Sequence, residues 1–427
     1  MYKQYIKQAL RQLKENKLLS FISIIGTAMA IAMIMVMVIT QRIELEDYSP
    51  EVNRHRTLYV KWMSTYWNDD PNSSSNGPMS IRTAKECFKA LTTPEAVCIY
   101  SPPYTGFLAS APEGELMKVD VLQSDEAFWK IYEFSFLSGK PYDLADCESG
   151  ISKAVIAESV ARKLYGTTDA VGRTISLNHS DYTVTAVVKD VSKLASTAYA
   201  QVWIPYTTTN ITDMIWSTTM GMMRVLILAH SSDDFPAIRE ETERLRMKYN
   251  DELASINQAM QYRDQPDTQF VYVNRKWANM EPNTQKIIIE YIVVIALLLL
   301  VPAINLSGMT LSRMRKRFPE LGVRRSFGAS RGELLKQILL ESMILTLIGG
   351  FVGLLLSYGS VFLLNDLLFS NSSNSYLEGT NSVSAAMLID PIVFIGALAF
   401  CLILNILSSG VPAWRASRLN IVTALNS

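Results

Sequence analysis

Between Ile287 and Leu364 the chain passes from apolar to strongly basic and back to apolar. The runs Ile287–Leu311 and Ile338–Leu364 are each long enough to cross about 30 Å of hydrocarbon. The connector between them, 312–337, carries Arg313, Arg315, Lys316, Arg317, Arg324, Arg325, Arg331 and Lys336 against only Glu320 and Glu333. A short connector this basic is retained on the cytoplasmic side, because the positive-inside bias acts on such loops. That one placement orients the rest of the chain.

Two further apolar runs then fall into line. Leu18–Thr40 is too long for a signal-peptide core and is followed by no cleavage-type site, so it reads as a retained first span. Pro391–Val411 reads as a fourth span, and Trp414, Arg415 and Arg418 return the chain to the basic side. The expected architecture is an α-helical membrane protein with four transmembrane helices and a large mixed α/β extracytoplasmic domain inserted between helices 1 and 2. Its parts are a cytoplasmic amphipathic helix at 1–17, spans at 18–40, 287–311, 338–364 and 391–411, and the extracytoplasmic domain at 41–286. The basic loop at 312–337, an outer loop at 365–390 and a cytoplasmic C-terminus at 412–427 complete it. In the first segment Tyr2, Ile6, Ala9, Leu10 and Leu13 recur at helical spacing opposite Lys3, Lys7, Arg11 and Lys14, as in a helix lying in the membrane interface. The outer loop has neither lysine nor arginine.

Small residues mark where helices can approach closely. Gly26 and Ala30, with the overlapping Ala28 and Ala32, make small faces on the first span, and Gly349 and Gly353 make a G-x-x-x-G face on the third. That third-span face serves packing either within one chain or across a dimer. Glu290 stands near the outer end of the second span, where a carboxylate reaches water, and Pro302 is a kink site.

In the extracytoplasmic stretch Leu58, Val60 and Trp62 alternate as in a strand, and Met117, Val119 and Val121 do so again. Ile81, Ala84, Phe88 and Leu91 form a helical stripe, and 158–165 and 238–249 read as helices. Strands are expected near 174–177, 182–188, 202–204, 225–228 and 270–273, with 69–78 (DDPNSSSNGP) an exposed loop. Cys87, Cys98 and Cys147 form an odd set there, so one pair at most can bridge; reduced thiols are expected, a Cys87–Cys98 bridge remaining open.

The basic loop also has local structure. Pro319 suits a first helical turn with Glu320 just inside, Leu321, Val323 and Phe327 give a small apolar face, and Gly328 can end the helix in a left-handed turn. Ser330 can then cap a second helix, with Glu333 at the capping-box position. A short exposed helix with an apolar stripe and basic flanks fits a groove on a partner protein; a basic loop held by anionic lipid fits the same spacing.

The stretch Glu320–Ser330 (ELGVRRSFGAS) resembles the coupling helix of FtsX/MacB-like ABC transporter permeases. Leu10–Lys17 resembles that family's basic lead-in, Ala157–Gly166 and Val184–Asp190 its periplasmic core domain, and Pro412–Leu419 with Ala424-Leu425 its C-terminal end. Ser326 departs from the family's usual alanine and leaves the motif's glycines and arginines in place. The resemblance implies that Glu320, Gly322, Arg324, Arg325, Phe327, Gly328, Ala329 and Ser330 seat on an ATPase subunit. It implies a half-size permease in the cell inner membrane, both termini cytoplasmic, paired with itself or a related permease, with room for a periplasmic adaptor. Nucleic acid is not an expected partner.

No G-x-x-x-x-G-K-S/T phosphate loop occurs: Gly139-Lys140 is followed by Pro141, and the Gly349, Gly350 and Gly353 cluster has no lysine. His55, His179 and His230 are scattered without ligand spacing. ATP is therefore expected on a partner chain, with no cofactor or enzymatic site here. The expected function is mechanotransmission, in which ATP-driven movement at the coupling helix drives the external domain in export or release of a peptide, drug or lipoprotein. The alternatives are an FtsX-like scaffold that activates a cell-wall hydrolase, and a plain membrane anchor with a binding ectodomain.

Overall fold

The computed structural model describes residues 17–297, 300, 323, 326–369, 377–383, 395, 396, 399, 402, 403, 406 and 410. The amphipathic segment before residue 17, Glu320, Gly322, Arg324 and Arg325 of the basic loop, Pro302, and most of the fourth span with the C-terminal motif lie outside the described residues. The chain divides into two compact units, one of which comprises Arg42–Ile287 together with Phe369–Ser382.

In the other unit, two helices of the described residues are long and apolar enough to cross a membrane. The first is α1, Lys17–Leu45, whose apolar stretch is Ser20–Leu45. The second follows the basic loop and runs Arg331–Leu363, with Gly332–Leu363 apolar. Residues 284–297 are also helical, where the second span is expected. Helix α1 buries Thr27, Ala28, Ile31, Met35 and Ile39 along one stripe, and Arg331–Leu363 buries Leu345, Thr346, Leu354, Ser357 and Val361.

The two helices meet through the third-span glycines. A Cβ on Gly353 would stand 2.6 Å from the Ala28 carbonyl oxygen and 2.9 Å from Ile31 Cβ; on Gly349 it would stand 2.8 Å from Thr27 Cβ. The close approach that glycine permits is thus used within one chain. Gly349 faces Ile24 and Thr27 while Gly353, one turn on, faces Ala28 and Ile31, so the helices run parallel. Gly26 lies off this seam, with nothing within 4 Å of its missing Cβ, whereas Ala30 is buried at 9% exposure.

The larger unit is built on a nine-stranded sheet in the order β1-β11-β4-β5-β10-β7-β9-β6, with β8 pairing both β4 and β9. Its strands are β1 (Thr57–Val60), β4 (Ala96–Ser110), β5 (Met117–Ser124), β6 (Phe136–Gly139), β7 (Lys153–Ala157), β8 (Thr174–Leu177), β9 (Ser180–Val188), β10 (Val202–Pro205) and β11 (Arg224–Leu228). Because β8 reaches from β9 to the second half of β4, the strands β4-β5-β10-β7-β9-β8 close into a ring. Val119, Val121, Val155, Val184, Val187, Val202 and Trp203 pack in one apolar core here. A smaller sheet, β12-β2-β3, uses β2 (Met63–Trp67), β3 (Asp70–Gly77) and β12 (Gln258–Gln261). A second core gathers Met63, Met79, Phe88, Ile227, Ile238, Tyr249 and Met260. The last two helices of this unit to be named are α2, Phe235–Leu253, and α3, Gln269–Asn274.

Two expectations are corrected. The run Asp69–Pro78 is no loop: Asp70–Gly77 is strand β3, paired antiparallel with β2. It is an edge strand, where Pro71, which lacks an amide donor, is tolerated. The stretch Phe270–Val273 is not a strand but part of α3, where Tyr272 N–H donates to Thr268 O at 2.8 Å. Tyr272 stacks on Tyr59 with ring centroids 4.6 Å apart, so packing overrides the β-branched pattern. Cys87, Cys98 and Cys147 are buried free thiols, and burial pushes those of Cys87 and Cys147 up to about 12.

Candidate functional site: an exposed turn and two arginine joints

Val323 and Ser326 are helical, and Phe327 N–H donates to Val323 O at 3.1 Å, closing a last turn. Ser326 donates its hydroxyl to the same carbonyl at 2.7 Å, so the departure from alanine adds a local bond. Gly328 follows at φ +96° with nothing within 4 Å of its missing Cβ. Glycine is required there for backbone conformation and not for space. Ser330 then caps Arg331–Leu363: its Oγ accepts from Glu333 N–H at 3.2 Å, and Glu333 Oε2 accepts from Ser330 N–H at 2.9 Å.

The turn therefore ends one helix and starts the next within a few residues, with Ala329 half-buried between them. Phe327 at its tip is 88% exposed and Val323 is 43% exposed. A phenyl ring left in water gains free energy from any apolar partner that covers it, by about 1.5–3 kcal/mol for full burial. The structure brings Phe327, Gly328, Ala329 and Ser330 into this one turn at the start of a 33-residue helix. Among the described residues no group of His, Cys, Asp and Glu is arranged to hold a metal ion.

Within the sheet unit, two buried arginines that the sequence does not advertise bind the chain around the end of α1 and just before the helix at 284–297. Arg54 donates Nη1 to Ile43 O at 2.8 Å and to Glu46 O at 2.7 Å. Its Nη2 reaches Leu194 O at 3.1 Å and its Nε reaches Glu51 Oε2 at 2.7 Å. A guanidinium so placed satisfies carbonyls left open at a helix C-terminus. Arg275 makes a bidentate pair with Asp267 at 2.6 and 2.8 Å, both side chains at 1% exposure or less. It also binds Arg263 O at 2.7 Å and Met280 O at 2.9 Å, just before the helix at 284–297. Gln269 ties the two passages together, donating to Glu44 O at 2.7 Å. The sequence signal for both arginines is weak: Arg54 sits in the basic run Arg54-His55-Arg56 and Arg275 beside Lys276, and nothing in the pattern singles out the buried member.

Residues 20–245 match the MacB-like periplasmic core domain, and residues 292–421 match the FtsX-like permease C-terminal region. The uncharacterized ABC transporter permease YknZ of Bacillus subtilis (strain 168) is 24% identical over 307 residues, which cover 70% of this chain and 68% of YknZ. The macrolide export ATP-binding/permease protein MacB of Neisseria gonorrhoeae is 25% identical over 306 residues, 70% of this chain and 42% of its own length. The pyoverdine export ATP-binding/permease protein PvdT of Pseudomonas savastanoi pv. phaseolicola is 26% identical over 314 residues, 71% of this chain and 42% of its own length. The chain thus spans less than half the length of those two exporters. Among solved structures, the extracellular domain of YknZ from Gram-positive bacteria aligns with 47% of this chain and 99% of its own at 14% identity and a TM-score of 0.33. The periplasmic region of MacB from Actinobacillus actinomycetemcomitans aligns with 52% and 95% at 13% identity and a TM-score of 0.34.

Proposed function

This chain belongs to the family of ABC transporter permeases that join a MacB-like periplasmic core domain to an FtsX-like C-terminal region, and we propose that it is the permease subunit of an export system driven by a separate ATPase. In this reading four spans hold both termini inside the cell, with Arg42–Ile287 outside. Support comes from the parallel course of α1 and Arg331–Leu363, since two helices that cross from the same side must run the same way. That an ATPase drives it is supported by relatives named ABC transporter permease and ATP-binding/permease protein; its place on a separate chain is part of the proposal.

The observation that carries the proposal is the Phe327 turn. An 88% exposed aromatic ring sits on a left-handed glycine and a capping box that together start a helix long enough to cross the membrane. An ATPase groove that closes over Phe327 grips the end of that helix directly. ATP-driven movement would displace Arg331–Leu363, pass to α1 through the Gly349 and Gly353 seam, and reach the outer domain through the joint at Arg54. Substrate export then follows from movement of the outer domain, the family work of relatives named for macrolide and pyoverdine export. The permease acts as a pair, with itself or a related chain.

The test is affinity purification in mild detergent from the native host, followed by mass spectrometry. The expected result is a soluble ATP-binding protein that co-elutes and is lost when Phe327 is replaced by Glu. Recovery of a cell-wall hydrolase with no ATP-binding protein would overturn the reading in favour of a regulatory scaffold.

A further inference from the structure

The segment after Arg331–Leu363 does not simply return to the membrane. Phe369–Ser382 belongs to the same compact unit as Arg42–Ile287, and residues 377–382 are bound to it by a specific set of contacts. At their centre is Asp120 on β5, fully buried at 0% exposure. Its Oδ2 accepts from the backbone N–H of Glu378 at 2.8 Å, from that of Gly379 at 3.3 Å, and from the hydroxyl of Tyr199. Lys193 N–H donates to Thr380 O at 3.2 Å, and Ser382 N–H donates to Ser192 Oγ at 2.9 Å. Leu377 and Asn381 are themselves buried.

The fit is steric as well as polar. A Cβ on Gly379 would stand 2.0 Å from Tyr199 Oη and 2.6 Å from Cζ. Tyr199 is 2% exposed and its hydroxyl is held by Asp120, so the ring cannot swing aside cheaply. Gly379 has no left-handed φ; glycine stands there for space alone. A buried carboxylate is costly unless its partners satisfy it, and two of the three donors to Oδ2 come from the 377–382 segment. Asp120 Oδ1 has no hydrogen-bond partner among the described residues, so the site leans on Oδ2.

We propose that Asp120, Tyr199 and Gly379 form a latch that couples the segment following Arg331–Leu363 directly to β5. In the transport cycle the latch is a second route by which displacement of that helix reaches the outer domain, beside the joint at Arg54. The three are positioning residues, and the inference rests on the permease reading above. A partner that grips Phe327 pulls one end of Arg331–Leu363; the latch holds the chain beyond its other end to the ring of strands.

The experiment uses the full chain with its co-purified ATPase in lipid nanodiscs, as wild type, Gly379→Ala and Tyr199→Phe. Hydrogen exchange is followed with and without ATP plus vanadate, alongside ATP turnover. In Gly379→Ala the amides of 377–382 should exchange at least tenfold faster, while the midpoint of thermal unfolding stays close to wild type. ATP turnover should persist with an unchanged KM, and the ATP-dependent change in exchange across β4, β5 and β10 should be lost. Tyr199→Phe, which keeps the fold's packing, should lie between wild type and Gly379→Ala. If both variants respond to ATP as wild type does, the latch proposal is overturned and the permease reading stands. If the wild type shows no ATPase and no ATP-dependent change, the permease reading fails and the coupling role falls with it.

Discussion

Replacing Gly353 by alanine tests the helix seam, and the structure sets the size of the effect. The new methyl would stand 2.6 Å from a backbone oxygen and 2.9 Å from Ile31 Cβ, neither of which a rotamer change can move. Restoring ordinary contact at about 3.4 Å separates the two backbones by roughly 0.8 Å. A gap of that size forfeits a quarter to a half of the dispersion energy along the contact, and overpacking of this kind costs about 1–3 kcal/mol. Alanine returns up to about 1 kcal/mol through its better helix propensity. Net of that gain the loss is about 0–2 kcal/mol, read as a fall of up to roughly 6 °C in the unfolding midpoint in mild detergent. Gly26→Ala is the internal control: nothing stands within 4 Å of its Cβ, so it should be neutral or slightly stabilising. Equal midpoints for Gly353→Ala and Gly26→Ala would refute the seam.

Three other outcomes follow from the outer domain. Arg275→Met leaves the Asp267 carboxylate buried and unpaired, which should cost about 3–5 kcal/mol; the double variant with Asp267→Asn should recover part of that in the same thermal assay. Glu241 on α2 accepts from Thr92 N–H, Thr92 Oγ1 and Thr93 N–H. Burial opposes its charge, but those bonds win and hold its carboxyl at about 2, below the ordinary 4.5. A depressed folded value gives stability present above about pH 4.5 and lost as the pH falls towards 2, worth about 1–2 kcal/mol after solvent screening. Glu241→Gln should therefore flatten the acid limb of the stability profile between pH 5 and 2.5. Finally, Cys87, Cys98 and Cys147 are buried thiols and should resist maleimide labelling in the folded protein, reacting only after denaturation.

The features most legible in the sequence are those with their own local physics. The helix at 158–165 appears with the bounds read from the sequence, and Gly166 closes it at φ +70°. The capping box at Ser330 and the left-handed turn at Gly328 are likewise written in residue type and spacing. Strand β4 is not, although at 15 residues it is central to the ring. Pro102-Pro103 and Gly106 break its alternation, and the structure absorbs them where the register with β5 shifts between Ser101 and Tyr104 and again before Phe107. Strand β3 reads as a loop because its Ser and Asn side chains carry no apolar period; its strand form comes from the β2 backbone beside it. The arginine joints bind mostly backbone carbonyls, which residue spacing does not mark, whereas the Asp120 latch is long-range. Asp120 and Glu378 lie 258 residues apart, so the latch partners cannot be read from spacing.

In the proposed mechanism the Phe327 turn carries force from an ATPase into Arg331–Leu363. The most direct measurement is ATP turnover by the purified complex in nanodiscs, comparing wild type with Phe327→Ala and Gly328→Val. Phe327→Ala removes the exposed ring without touching the fold, and Gly328→Val strains a φ of +96° that only glycine adopts freely. Both should lower permease-stimulated turnover at least tenfold while leaving the ATPase's basal rate and the chain's membrane insertion unchanged. Full stimulated turnover in both variants would contradict the account.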